Sequence, residues 1–358
     1  MLAKKYLLSG VVAIGLSLGV GTTHAAPPAQ AQAEALVNYV TGVAGIALNA
    51  ADTGADAKLA GDTTVSFKFV SGTPGWHHSM AFLADKLGTW KDVGATGVQY
   101  TAMNSGTAAG EAIGSGRVDA GYTNMATALA LITKGAPITI ISGTSQGGNG
   151  VVTVNPDIKT VDDLKGKKIA VPQGNTAHEL MFRLHVLPSA GLSYDDIKRI
   201  PLNPQDMTVA LIRGDVDAAV MFDPFMGGAL REGARFLVEP KDMWDGGAYS
   251  SALLVNNKLL ENNPALVQAI ADMHAQMVKL LSTEPDKVSE IMSGITHQDL
   301  KETRSSWNTV VFKAEADTAS FQEFVNGMKD IGLIDTAPDL STAVVSDFID
   351  RARTKVGM

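Results

Sequence analysis

Cysteine is absent from all 358 residues. Its absence excludes disulfides, thiolate zinc sites, iron–sulfur ligation, a cysteine nucleophile and a lipidated cysteine near the N-terminus. Charge is sparse as well, at 18% of residues, and it leans acidic, 37 against 29, for a net charge of −8. No basic stripe interrupts it, so nucleic acid is not an expected partner. Aromatic residues are few, at 6%. Beyond the N-terminal stretch, no segment reaches the ~18 uninterrupted apolar residues of a membrane-spanning helix. What remains is 45% hydrophobic and carries 36 glycines. That mixture is globular, and at ~150 residues per domain the length suits two domains or lobes, each with its own core.

The first 25 residues have the layout of a secretory signal peptide. Lys4 and Lys5 precede an apolar stretch from Leu7 to Val20, and Thr23-His24-Ala25 closes it with small residues at −3 and −1. The expected location is therefore periplasmic. Removal of 25 residues, two lysines among them, leaves 333 residues with a net charge of −10. Residues 26–61 form an Ala-rich leader. Leu36, Val40, Val43 and Ala47 fall there at helical spacing, and no chemistry is assigned to it.

From Asp62 onward strand and helix signals alternate. Thr64–Val70 reads as a strand, Met80, Leu83, Ala84 and Leu87 as one helix face, and Val98–Met103 as a strand. A helix from about Thr107 ends near Gly114–Gly116, and Val118–Thr123 is again a strand. The order then recurs. Lys168–Val171 is a strand, Gly174-Asn175-Thr176 opens a helix running to about Ala190, and Ile197–Leu202 is a strand. Gln205–Arg213 is a helix and Val216–Phe222 a strand. Ala112–Ala126 overlays Ala210–Pro224 without a gap at an offset of 98, with Gly116/Gly214, Val118/Val216, Asp119/Asp217 and Ala120/Ala218 identical. Each Gly ends a helix and each Val-Asp-Ala enters a buried strand, with the Asp structural at the junction.

Such alternation predicts two α/β lobes. Each has a mostly parallel sheet flanked by helices, with ligands beyond the carboxyl ends of the strands. Residues 62–145 and 250–358 make the first lobe and 146–249 the second. Ile138–Ser145 and Tyr249–Val255 form a two-stranded hinge. Asn263 caps a helix that starts with Pro264, and the remaining chain is expected to be helical and to cover the first lobe.

The run Gly106 to Asp119, the segment DDLKGKKIAVPQGNTAHELMFR and the stretch GDVDAAVMFDPF resemble the periplasmic solute-binding proteins of the aliphatic-sulfonate, taurine and nitrate class. The likeness spans roughly residues 65–300. It implies the two-lobed periplasmic binding protein fold of type 2. It also implies a small-molecule ligand, a sulfonate-type anion or zwitterion first, and delivery to the transmembrane permease of an ABC importer. The family also takes nitrate, thiamin-precursor pyrimidines and aromatic acids, and a sensory role beside a membrane receptor is the other alternative. The chain is expected to be monomeric, without cofactor or metal.

The loops at strand carboxyl ends supply the candidate ligand-binding residues. Trp76 offers a stacking face and His77 and His78 offer donors, against a reading as core Trp and solvated histidines. Ser105 and Thr107 stand at a helix start, where capping alone also explains them. Asn124 follows the first Val-Asp-Ala strand. Gln173, Asn175 and Thr176 stand where the resemblance places ligand-facing amides. Ser145 belongs to the hinge-side loop Ser145–Asn149. Asp223 follows the second Val-Asp-Ala strand and could accept a ligand ammonium, or merely cap the helix after Pro224. Arg117 and Arg183 are the only nearby cations, so a bound anion is expected to rest on backbone amides, hydroxyls and His77 or His78.

No catalytic residue is proposed. His178 and His185 are seven apart and lack the His-Glu-x-x-His spacing. His77 and His78 diverge, and no Gly-x-Ser-x-Gly turn or phosphate-binding Gly-Lys-Ser/Thr loop occurs. A branch of the resembled family that synthesises the thiamin pyrimidine uses a cysteine-rich iron-binding motif, which this chain lacks.

Overall fold

A computed structural model describes residues 67–71, 75–95, 97–103, 105–245 and 247–358. The expected signal segment 1–25, the leader 26–61 and the first three residues of the expected strand Thr64–Val70 lie outside the described residues. Among the described residues no helix is long and apolar enough to cross a membrane.

Among the described residues eleven strands form two sheets. They are β1 Phe67–Ser71, β2 Val98–Ala102, β3 Ala120–Asn124, β4 Ile138–Gly147, β5 Asn149–Thr153, β6 Lys168–Pro172, β7 Lys198–Leu202, β8 Ala218–Phe222, β9 Arg235–Val238, β10 Tyr249–Asn256 and β11 Val310–Phe312. The first sheet runs β11-β4-β10-β3-β1-β2 and the second β7-β6-β8-β5-β9. The predicted repeat is present. β2-β1-β3 and β7-β6-β8 are parallel triplets of the same order, and β3 and β8 stand at the offset of 98 found in the sequence. Each triplet is completed by an antiparallel strand beside its third member, β10 beside β3 and β5 beside β8. The parallel character is thus confined to the β–α–β cores. Strands that arrive from the other lobe enter antiparallel, since no crossover helix precedes them.

The local signals act as expected. Asn263 Oδ1 accepts from the Leu266 amide at 3.1 Å ahead of Pro264–Thr283, and Asp217 Oδ2 accepts from the Lys168 amide at 2.8 Å. The helix Gly106–Gly114 is matched by Pro204–Arg213. The expectation of an all-helical C-terminal part needs correction in two ways. Residues 310–312 form β11, an edge strand on β4 too short to show a periodicity. The same part also reaches the second lobe. Gln298 Nε2 donates to the Pro224 carbonyl at 2.7 Å, Arg231 pairs with Glu302, and Trp244 stacks on Phe324 at 5.2 Å. Apolar side chains of both sheets and of Thr318–Asp330 accordingly share one core cluster.

The chain leaves the first sheet at Gly147–Gly148, two residues beyond the expected crossing. Both residues are left-handed, with φ of 70° and 67°. A Cβ on Gly147 would lie 2.5 Å from the Thr309 carbonyl oxygen, and the Gly148 amide donates to that same oxygen at 2.7 Å. Gly147→Ala combines a left-handed L-residue, costing roughly 1–2 kcal/mol, with a backbone overlap. We expect a loss of at least about 2 kcal/mol in urea unfolding. An unchanged midpoint would show that the crossing adapts.

Candidate functional site

A cavity of about 340 Å³ lies between the sheets at the carboxyl ends of their parallel strands. A parallel β–α unit starts its helix at that edge, so helix N-termini from both lobes point into one space. From the first lobe His77, His78, Ser105, Thr107, Asn124 and Ser251 line it. From the second come Pro172, Gln173, Thr176, His178, Asn203 and Phe222. Gly174 of the second lobe stands against Thr107 of the first, where a Cβ would come 3.1 Å from Thr107 Oγ1. Glycine lets the two rims meet there.

Each polar side chain of the first lobe is held by its neighbours. Ser105 Oγ accepts from the Ala108 amide at 3.2 Å. Asn124 Oδ1 accepts from the Thr127 amide at 2.9 Å, capping Met125–Thr133. Its Nδ2 donates to Thr127 Oγ1 at 2.7 Å and to Thr107 Oγ1 at 3.3 Å. His78 Nε2 meets Ser251 Oγ at 3.1 Å, and His77 Nδ1 meets Ser145 Oγ at 2.9 Å. On the second lobe Thr176 Oγ1 accepts from the Glu179 amide at 3.3 Å. His178 lies flat against Phe222, centroids 4.5 Å apart and planes at 19°. Glu179, next in sequence, turns away from the cavity to Tyr194 and Arg199.

Of the eleven expected residues, His77, His78, Ser105, Thr107, Asn124, Gln173 and Thr176 come together on the wall. Four do not. Trp76 is core: Nε1 donates to Ser306 Oγ at 2.7 Å and the ring packs edge-on to Phe312. Ser145 is buried behind His77 and hydrogen-bonded to it. Asn175 is exposed in a left-handed turn outside the wall. Asp223 is buried and committed, accepting from Thr309 Oγ1 at 2.8 Å and from the Gly227 amide at 3.2 Å. It therefore has no place facing a ligand ammonium; it stands one residue before the N-cap Pro224 and is tied to the first turn of Phe225–Arg231 through Gly227.

His178, Phe222, Asn203 and Ser251 were missed as wall residues. His178 and Phe222 were read within a helix and a strand end, and Ser251 within the hinge strand. Only Asn203 carried a usable signal, since it precedes Pro204 as Asn263 precedes Pro264.

Among the described residues no Lys, Arg, Asp or Glu lines the cavity. What it presents is helix-start amides, hydroxyls, carboxamides and imidazoles against the apolar faces of Pro172, Pro204 and Phe222. Such a wall suits a small anion with an apolar body.

Burial pushes the Asp223 carboxyl up to about 7, with the Thr309 and Gly227 hydrogen bonds opposing it. Between about 4 and 7 the folded chain keeps a proton that the unfolded chain has released. Stability therefore falls as pH rises through that window, by roughly 1.4 kcal/mol per pH unit from this group. Asp223→Asn, measured beside the parent in urea at pH 4.5, 5.5 and 6.5, should remove that share of the slope. Identical slopes in parent and variant would refute the assignment.

The fold and sequence have relatives. The Escherichia coli K12 taurine-binding periplasmic protein is 26% identical over 283 residues, covering 72% of this chain and 85% of its own. The crystal structure of the E. coli periplasmic aliphatic sulphonate binding protein SsuA superposes with a TM-score of 0.67. It is 21% identical and covers 78% of this chain and 92% of that one. The Xanthomonas axonopodis pv. citri alkanesulfonate-binding protein SsuA, bound to MOPS, gives 0.69 at 20% identity, with 78% and 98% covered. With its two α/β sheets, their shared cleft and a sequence profile matching over residues 63–296, the chain belongs to the NMT1-like family.

Proposed function

We propose that this chain is a non-enzymatic, extracytoplasmic solute-binding protein that captures a small organic anion, a sulfonate first, and delivers it to the permease of an ABC importer. The observation that carries the reading is the cavity wall. Helix starts from both lobes face it, donors surround it, and among the described residues no formally charged side chain lines it. A sulfonate held there accepts from amides and hydroxyls, while its carbon body lies against Phe222, Pro172 and Pro204. Micromolar affinity corresponds to about −8 kcal/mol. Hydrogen bonds to a charged group contribute about 1.5–3 kcal/mol each, so a few of them with an apolar wall reach that range.

The mechanism is lobe closure about the crossing at Gly147–Gly148. A ligand that touches both walls favours the closed arrangement, and the closed arrangement is what a permease recognises. The sulfonate-binding and taurine-binding names of its relatives support this reading, as does the signal-like layout of residues 1–25 for export. On that basis mass spectrometry of protein recovered from the periplasm should find an N-terminus at Ala26 or close by. The intact 358-residue chain in the inner membrane would refute export.

Within the sulfonates, the wall discriminates against an ammonium group, because among its described residues no carboxylate faces it. Calorimetry at pH 7.5 should therefore find ethanesulfonate bound at least about tenfold more tightly than taurine. Thr107→Ala removes a wall hydroxyl, and ethanesulfonate should weaken by roughly 10- to 100-fold. Equal or tighter binding of taurine would overturn the discrimination. Failure of every sulfonate and of nitrate to bind would overturn the anion reading itself.

A further inference from the structure

His77 of the first lobe and His178 of the second meet across the cavity, ring centroids 5.0 Å apart and planes at 40°. Both are buried. His77 Nδ1 is engaged by Ser145, but both ring nitrogens of His178 have no hydrogen-bonding partner. Buried polar atoms left so are costly unless something else supplies the partner. Among its described residues the same wall offers a bound anion no lysine or arginine. We propose that an anion enters this cleft together with a proton, and that the proton is held as an imidazolium on the His77–His178 pair, mainly on His178. The inference rests on the anion reading above and adds the identity of its counter-charge.

The ring environment sets the direction. Burial first, then the neighbouring imidazoles, holds His77 well below the usual histidine range; the Gly148 carbonyl weakly opposes this. Burial and His78 hold His178 down to about 3. Both are therefore neutral near pH 7 without a ligand. An anion about 4 Å from an imidazole raises its pKa by roughly 3 at an effective dielectric near 20. An anion in the cleft therefore moves His178 back up toward the range in which it takes a proton. Two imidazoles in contact disfavour a second charge, so one proton is taken up.

The other titratable groups around the pair are occupied. His78 is bonded to Ser251, Glu179 to Tyr194 and Arg199, Tyr249 to Glu315, and Asp223 to Thr309 and Gly227. Of these only His78 lies on the wall. The complex thus binds more protons than the free protein. Affinity therefore rises as pH falls below neutral.

Ethanesulfonate is the probe, because it stays ionised throughout and contributes no titration of its own. Calorimetry from pH 5 to 7.5, in buffers of different ionisation enthalpy, should show nearly one proton taken up per site at pH 5 and almost none at pH 7.5. Kd should fall about tenfold from pH 7 to pH 5. In His178→Gln both the uptake and the pH dependence should vanish, whatever affinity remains. Imidazole ¹⁵N spectra of the unmutated protein provide a second readout, with a charged ring on His178 expected only in the complex at pH 5. Binding without proton uptake, weaker binding in acid, or a charge found on His78 instead overturns the imidazolium and leaves the anion reading standing. If neither ethanesulfonate nor the other sulfonates and nitrate bind at any pH, both fall together.

Discussion

In a parallel β–α unit every crossover helix begins at the carboxyl edge of its strand, with its first amides unpaired within the helix. The chain repeats the unit β2-β1-β3 as β7-β6-β8, and the two carboxyl edges face each other. Most of the site depends on this constraint. Ser105, Asn124 and Thr176 are present because helix starts need acceptors. Once the caps are made, amides and hydroxyls left at the same edges point into the common space. A donor-rich cavity follows from topology before any residue is selected for a ligand.

The wall is polar without being charged, which sets its electrostatic character. Helix-start dipoles favour an anion, and apolar surfaces at Pro172, Pro204 and Phe222 keep the surrounding dielectric low. The carboxylates near the cleft are turned outward or committed. Glu179 is bound to Arg199 and Tyr194, and Asp223 is bound between the Gly227 amide and Thr309. An ammonium is left without a partner there, while an anion meets donors on both sides.

The C-terminal part joins the lobes as much as it covers one of them. Thr309 accepts from Gly148 at the crossing and donates to Asp223 beyond it. Trp76, at the head of the first-lobe loop, is fixed by Ser306. The crossing, the strand end before the second-lobe helix and the first ligand loop are thereby tied to one short stretch, residues 306–309. This coupling explains why Trp76 and Asp223 are core residues although both stand in loops that feed the cavity.

Much of the fold was legible in the sequence because its signals are local. The repeat at an offset of 98, the glycines that end helices, the Asn263-Pro264 start and the capping hydroxyls each depend on a few neighbouring residues. The structure agrees with all of them. Of the site, the sequence determined which loops border the cleft and that no cation stands in them. Only the tertiary structure decided which side chains of those loops face it. His78 meets Ser251 across 173 residues, Asp223 meets Thr309 across 86 and Trp76 meets Ser306 across 230. Pairings at such separations have no local periodicity. His178 shows the same limit. Its spacing to His185 carried no meaning, since His185 lies beside Asp245 at 3.6 Å, and its true partners, His77 and Phe222, come from the opposite lobe and a neighbouring strand. Helix phase and lobe apposition together turn a side chain toward a cleft, and apposition is a property of the folded chain alone.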